Sequence, residues 1–198
     1  MRAFVLAAAV AAAAVVPLPV LAAGDAARGR ALAEERGCGG CHGENGRSAT
    51  PDAPSLAGQP PDFVTLQMIL FREGIRQVPP MNDFAIGLSD GQIEDLASFY
   101  ASLPPGPPED RGTRDPALAA RGQELSRRLN CGVCHLPDYR GRAQIPGLSG
   151  QREDFLLRTM REYRDGKRVG TDTNMNAVVY GLSDADLAAL AHHLAHAP

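Results

Sequence analysis

Cys38-Gly39-Gly40-Cys41-His42 sets two thiols with two residues between them and an imidazole directly after the second. This arrangement suits haem c: each sulfur can add to a vinyl group of the porphyrin while the histidine reaches the iron. The unit returns as Cys131-Gly132-Val133-Cys134-His135, and the two copies use all four cysteines of the chain. No thiol is left for a disulfide, a redox switch or a thiolate nucleophile. A bare CxxC also fits a thioredoxin-like redox pair or half a zinc site. A zinc ribbon, however, spaces its CxxC units by roughly 15–20 residues, whereas Cys41 and Cys131 lie most of a domain apart and each unit has its own histidine. The expected cofactors are two haem c groups, covalently attached through Cys38, Cys41, Cys131 and Cys134, with His42 and His135 on the irons.

The elements that must position these groups are duplicated. Ala26-Ala27-Arg28-Gly29 matches Ala119-Ala120-Arg121-Gly122, and Pro54-Ser55-Leu56-Ala57-Gly58-Gln59 matches Pro146-Gly147-Leu148-Ser149-Gly150-Gln151. Asp62-Phe63, Met68, Arg72, Gly74 and Arg76 match Asp154-Phe155, Met160, Arg164, Gly166 and Arg168. Gly87-Leu88-Ser89-Asp90 matches Gly181-Leu182-Ser183-Asp184. The chain is a tandem repeat, with one domain over 24–103, another over 118–198 and a Pro-rich linker over 104–117. Four prolines within Pro104-Pro105-Gly106-Pro107-Pro108 exclude a helix there and favour an extended, semi-rigid path.

Each half reads as all-helical. A first helix over Asp25 to Arg36 should stop at Gly37. Val64, Met68 and Phe71 recur at helical spacing, as do Leu156, Met160 and Tyr163. Ser89 with Gln92 forms a capping-box pattern, and Ser183 with Asp186 a looser one. Ile93, Leu96, Ala97 and Tyr100 then form an apolar stripe repeated by Leu187, Leu190, Ala191 and Leu194. No strand pattern competes. Each half is small for a side-chain core alone, so a large apolar cofactor would supplement it.

Two methionines in each half are in register. Met68 and Met160 sit on amphipathic helical faces, where methionine is ordinarily core filler. Met81 and Met175 are expected on loops, each eight residues before a capping serine, and are the candidates for the second axial position. His192, His193 and His196 read as solvated residues of a terminal helix, and Arg152, Arg158, Arg161, Arg164, Lys167 and Arg168 as an exposed face and its following loop. Residues 24–103 hold 6 basic and 11 acidic side chains, net −5, and residues 118–198 hold 11 and 9, net +2. That asymmetry fits either ordinary surface variation or a dipole that orients the protein on partners.

At the start of the chain, Met1-Arg2, the apolar run from Phe4 to Val16 and the small residues through Ala23 read as a cleaved signal peptide over 1–23. As a retained anchor the run is broken by Pro17 and Pro19 and falls short of the ~20 apolar residues a span needs. The expected location is the periplasm, free or peripherally associated with the inner membrane.

Taken together, the early glycine-bearing helix, CxxCH, the Pro-Ser-Leu-Ala-Gly-Gln segment, the methionine and the capped terminal helix resemble a class I cytochrome c. The duplicated arrangement resembles the dihaem cytochrome c4 family. The resemblance covers the whole mature chain and implies two cytochrome c-like domains, each wrapped around a covalent haem. It also implies that Gly29 lets the first helix cross the last near Tyr100, with Gly122 doing so near Leu194, and it places a loop methionine on each iron: His42 with Met81, His135 with Met175. The function implied is electron transport, with a cytochrome bc1 complex or dehydrogenase as donor and a haem-copper terminal oxidase as acceptor. No catalytic residue, nucleic acid or small-molecule substrate is expected. Two further classes remain: a dihaem subunit of a periplasmic dehydrogenase, such as flavocytochrome sulfide dehydrogenase, and a dihaem enzyme such as a peroxidase or thiosulfate dehydrogenase.

Overall fold

The computed structural model describes residues 24–168 and 174–198. The signal peptide read over 1–23 lies outside the described residues, as do residues 169–173 ahead of Met175. Regular structure among the described residues is helical, with one isolated bridge between Arg142 and Ile145. None of these helices is long and apolar enough to cross a membrane.

The first half holds α1 (Ala26–Glu35), α2 (Gly39–His42), α3 (Pro61–Arg72), α4 (Met81–Ala85) and α5 (Asp90–Ser102). The second holds α6 (Pro116–Arg128), α7 (Cys131–His135), α8 (Glu153–Arg164), α9 (Asn174–Val179) and α10 (Asp184–Ala195). Start signals are local. Asp25 caps α1 by accepting from the backbone N–H groups of Ala27 and Arg28, and Asp115 does the same for Ala117 and Leu118. Pro116 follows Asp115 at the first helical position, where a missing N–H costs nothing. The α6 helix thereby takes up the last two residues of the stretch read as linker. Both capping boxes form, Ser89 with Gln92 and Ser183 with Asp186. The second is as complete as the first.

Burial follows the repeat. Ile93 and Leu187 occupy matching positions, and neither exposes any surface. Each contributes roughly 1.5–3 kcal/mol by leaving water. Around Ile93 pack Leu32, Leu88, Leu96, Phe99 and Tyr100. Around Leu187 pack Leu125, Leu156, Met160, Val179, Leu190 and Leu194. Arg28 adds a polar tie between α1 and α5, its guanidinium bonding both carboxylate oxygens of Asp95 at 2.7 and 2.8 Å.

The crossings of α1 over α5 and α6 over α10 depend on glycine, though earlier along the helices than expected. A Cβ on Gly29 would lie 1.9 Å from the Asp95 carbonyl oxygen and 2.8 Å from Phe99 Cβ. On Gly122 it would meet the Ala189 oxygen at 2.0 Å and His193 Cβ at 2.5 Å. The backbones touch at Asp95 and Ala189, and the larger Tyr100 and Leu194 lie beyond the crossing in the cores.

Two of the arginines read as an exposed face are buried. Arg152 lies between the halves and the linker, bonding the Ser48 carbonyl at 3.2 Å and the carboxylates of Asp110 and Asp154. Arg168 is covered as well. Arg158 reaches the Asp52 carbonyl of the first half at 2.9 Å. Part of the charge asymmetry is therefore spent inside the molecule, basic groups of the second half meeting acceptors of the first and of the linker.

Replacing Gly29 or Gly122 by alanine is expected to destabilise its domain by about 1–3 kcal/mol through overpacking, measured by urea unfolding. Gly91→Ala, where nothing lies within 4 Å of an added Cβ, should be neutral or stabilising by up to about 1 kcal/mol.

Candidate haem sites

Each CxxCH unit forms a single helical turn. The i, i+3 spacing sets its two thiols on one face, with Cys38 and Cys131 half-buried and Cys41 and Cys134 exposed. None of the four is paired with another cysteine. Burial pushes the Cys38 and Cys131 thiols up from their ordinary range.

The histidines are buried, and each has its Nδ1 2.8 Å from a backbone carbonyl: His42 on Pro54 and His135 on Pro146. A carbonyl can only accept, so Nδ1 carries the proton and donates. Nε2 therefore keeps its lone pair, the tautomer a metal ligand needs. Desolvation lowers both imidazole pKa values and outweighs the opposing hydrogen bonds, which keeps the rings neutral. The carbonyls are held by the matching Pro-x-Leu-x-Gly-Gln turns. Each turn is tied to its terminal helix by Gly58 N–H on the Tyr100 carbonyl at 2.9 Å and Gly150 N–H on the Leu194 carbonyl at 3.2 Å.

Met160 lies within the second core, and Met68 and Met175 each pack against the core of their own half; Met81 and Met175, the candidates from the sequence, are both half-buried. These two do not sit on open loops. Met81 begins α4, and Met175 is the second residue of α9. The next residue explains the turns. Asn82 accepts from Val78 N–H at 2.7 Å and donates to the Phe71 and Arg76 carbonyls at 2.9 and 2.7 Å. Its counterpart Asn176 donates to the Tyr163 carbonyl at 2.6 Å. At the far end Arg72 bridges the Leu88 carbonyl and Asp90, and Arg164 bridges the Leu182 carbonyl and Asp184. Both methionine segments are thus fastened at each end to the helix before and the helix after. Sequence reasoning missed the asparagines, although the pair Met-Asn occurs in both halves.

Arg76 and Arg168, at matching positions, converge on one acceptor, the Gln67 Oε1, at 2.7 and 3.5 Å. Both are buried. Burial and the neighbouring Arg168 cation lower the Arg76 pKa to about 9. Arg168 Nε and Nη1 make no hydrogen bond among the described residues. Two enclosed cations meet here with one carboxylate near them, Glu162 Oε2 at 3.9 Å from Arg168 Nη1; a buried charge calls for partners, and the propionates of a haem would supply two more carboxylates. The residues present fit the group.

The terminal histidines differ from expectation. His192 is buried, its Nε2 accepting from Asp115 N–H at 2.8 Å and its Nδ1 donating to Glu153 Oε2 at 2.9 Å. Both nitrogens of His196 face carbonyls, of His192 and Gly112. Glu153, His192 and His196 lie close enough to share a cation, but every ring nitrogen is already engaged. Their role is to dock the linker and α8 against α10.

The cytochrome c family profile matches residues 26–104 and 119–198. Cytochrome c4 of Pseudomonas aeruginosa is 34% identical over 184 residues, covering 87% of this chain and 89% of that protein. The thiosulfate dehydrogenase electron acceptor of Thiomonas intermedia is 33% identical, covering 83% and 80% respectively. Reduced recombinant cytochrome c4 from Pseudomonas stutzeri superposes with a TM-score of 0.80 at 31% identity, over 89% of this chain and 100% of that one.

Asn82→Ala removes one acceptor and two donations at once. The variant should lose about 1–3 kcal/mol and exchange the Val78 amide faster, both read by hydrogen-exchange mass spectrometry.

Proposed function

The chain belongs to the dihaem cytochrome c4 family of cytochromes c, as an electron-transfer protein with two covalently bound haem c groups and not an enzyme, and from that premise we propose its ligands, partners and location. Cys38 and Cys41 would form the thioethers of the first haem, Cys131 and Cys134 those of the second. His42 and Met81 would hold the first iron, His135 and Met175 the second. Bound haem supplies a one-electron iron couple at each site. The chain's own part would be to supply each iron with an imidazole nitrogen and a thioether sulfur. That set would favour low spin, raise the potential and leave no place for oxygen or a substrate. The observation that carries this reading is the buried histidine with its Nδ1–H fixed on a carbonyl and its Nε2 free, found twice at matching positions.

The domains we read are 24–103 and 118–198, joined by the proline-rich segment, in a protein exported to the periplasm. As donor we propose a cytochrome bc1 complex or a dehydrogenase, and as acceptor a haem-copper terminal oxidase. Ile86 and Tyr180 occupy matching positions just after the methionine segments and are 63% and 81% exposed, while Val133 inside the second CxxCH is 70% exposed. Apolar groups of this kind at the rim of a redox centre suit brief docking. Similarity to a protein named as a thiosulfate dehydrogenase electron acceptor supports a second reading of the donor, as a periplasmic sulfur-compound dehydrogenase.

The reduced holoprotein should be reoxidised by membranes containing a haem-copper oxidase, in a cyanide-sensitive reaction observed by stopped-flow absorbance. Oxidation that ignores cyanide, together with stoichiometric co-purification of a dehydrogenase, would instead make the chain a bound subunit.

A further inference from the structure

The turns that hold the two histidines also meet each other. Gln151 Oε1 accepts from Ser55 N–H at 2.8 Å, and its Nε2 donates to the Ser55 carbonyl at 2.8 Å. Gln59 Oε1 accepts from Gly147 N–H at 2.9 Å, and its Nε2 donates to the Gly147 carbonyl at 2.9 Å. Gln59 matches Gln151, and Ser55 matches Gly147, so the contact is reciprocal, as between two-fold-related partners. Both glutamine side chains are buried.

The peptide groups involved have a second connection. Ser55 N–H and the Pro54 carbonyl belong to one peptide plane, and that carbonyl accepts from His42. Gly147 N–H and the Pro146 carbonyl belong to another, and that carbonyl accepts from His135. Each histidine is therefore joined through a single peptide group to a glutamine of the opposite domain.

We propose that Gln151 and Gln59 are positioning residues that act across the domain boundary, each setting the basicity of the histidine, and so the reduction potential, of the other domain's haem. The inference rests on ligation by His42 and His135. A peptide whose N–H donates to an acceptor places more negative charge on its oxygen, and hydrogen bonds in such a chain strengthen one another. With Gln151 in place, the Pro54 oxygen is a better acceptor for the His42 Nδ1–H. The imidazole then gives more electron density through Nε2, which favours the ferric state. Removing the glutamine acceptor weakens this sequence and raises the potential. The effect appears in the opposite domain because the side chain and the peptide come from different halves.

The test uses the holoprotein with Gln151→Met and Gln59→Met, which keep the length of the side chain and delete the crossed hydrogen bonds, for Gln151 together with the one its Oε1 accepts from Arg152 N–H at 2.9 Å. The two haems are followed separately by their hyperfine-shifted proton resonances during a redox titration. Gln151→Met is expected to raise the potential of the first haem and Gln59→Met that of the second. Each shift should correspond to about a two- to tenfold change in the reduced-to-oxidised ratio, a smaller effect than the roughly 10–100-fold in metal affinity or activity that loss of a group bonded directly to a ligand costs. Arg158→Ala, which loosens the same boundary at Asp52 without touching the linked peptides, should leave both potentials in place. Gln151→Asn and Gln59→Asn, too short to reach but still polar, replace the methionine variants where those do not fold and should give the same crossed pattern. Shifts confined to the variant's own domain, equal shifts in both haems, or no shift would overturn the proposal. The imidazole and methionine resonances in the same spectra report ligation independently, so failure of the link is distinguishable from failure of the ligand assignment.

Discussion

A neutral imidazole in an apolar pocket must place its one N–H on an acceptor, and the rest of this structure depends on how that is done. A buried donor left unpaired costs about 1–3 kcal/mol. Here Pro54 and Pro146 provide the oxygen at 2.8 Å in both halves. A proline contributes no N–H of its own at that place and restricts the path of the turn. The carbonyl fixes the tautomer, and the tautomer leaves Nε2 available. The turn that presents the carbonyl is itself fastened to the terminal helix through Gly58 and Gly150. The terminal helix is in turn crossed by the first helix at a glycine. Distortion at Gly29 or Gly122 therefore reaches the histidine through a short series of rigid contacts.

The same logic makes the boundary between domains part of each site. The peptide that satisfies a histidine from one side is satisfied by a glutamine from the other, and Arg152 adds ties to Ser48 and Asp110 nearby. Arg76 and Arg168 meet on Gln67, and the unbonded Nε and Nη1 of Arg168 could take the carboxylates that a haem would bring. A protein whose two redox centres share such groups does not behave as two independent modules on a string. The proline-rich segment limits the separation of the halves, and the buried polar contacts select one arrangement.

Much of this was legible in the chain itself. CxxCH is readable because its chemistry requires contiguous residues, and the helices are readable because capping serines and apolar stripes are local. The duplication strengthens every such signal by stating it twice. What the sequence did not show are features that exist only through distant partners. Arg152, Arg168 and His192 look like solvated polar residues in one dimension, and their burial depends on what folds over them. Met81 and Met175, which read as loop residues in the sequence, lie in short helices instead. The short helices form because Asn82 and Asn176 supply the backbone bonds that a turn needs. Gln59 and Gln151 stood out only as matched letters of a repeat, and their crossed pairing appears only when the halves are docked.

The most direct test of the account is an optical titration of the holoprotein with carbon monoxide, on the reduced wild-type protein and on Met81→Ala and Met175→Ala. If His42 with Met81 and His135 with Met175 fill the two irons, the wild-type spectrum is low-spin and unmoved by carbon monoxide. Each variant should then open one site and bind one equivalent. A wild-type protein that takes up carbon monoxide at either haem, or a methionine variant that still refuses it, would contradict the assignment on which the electron-carrier account rests.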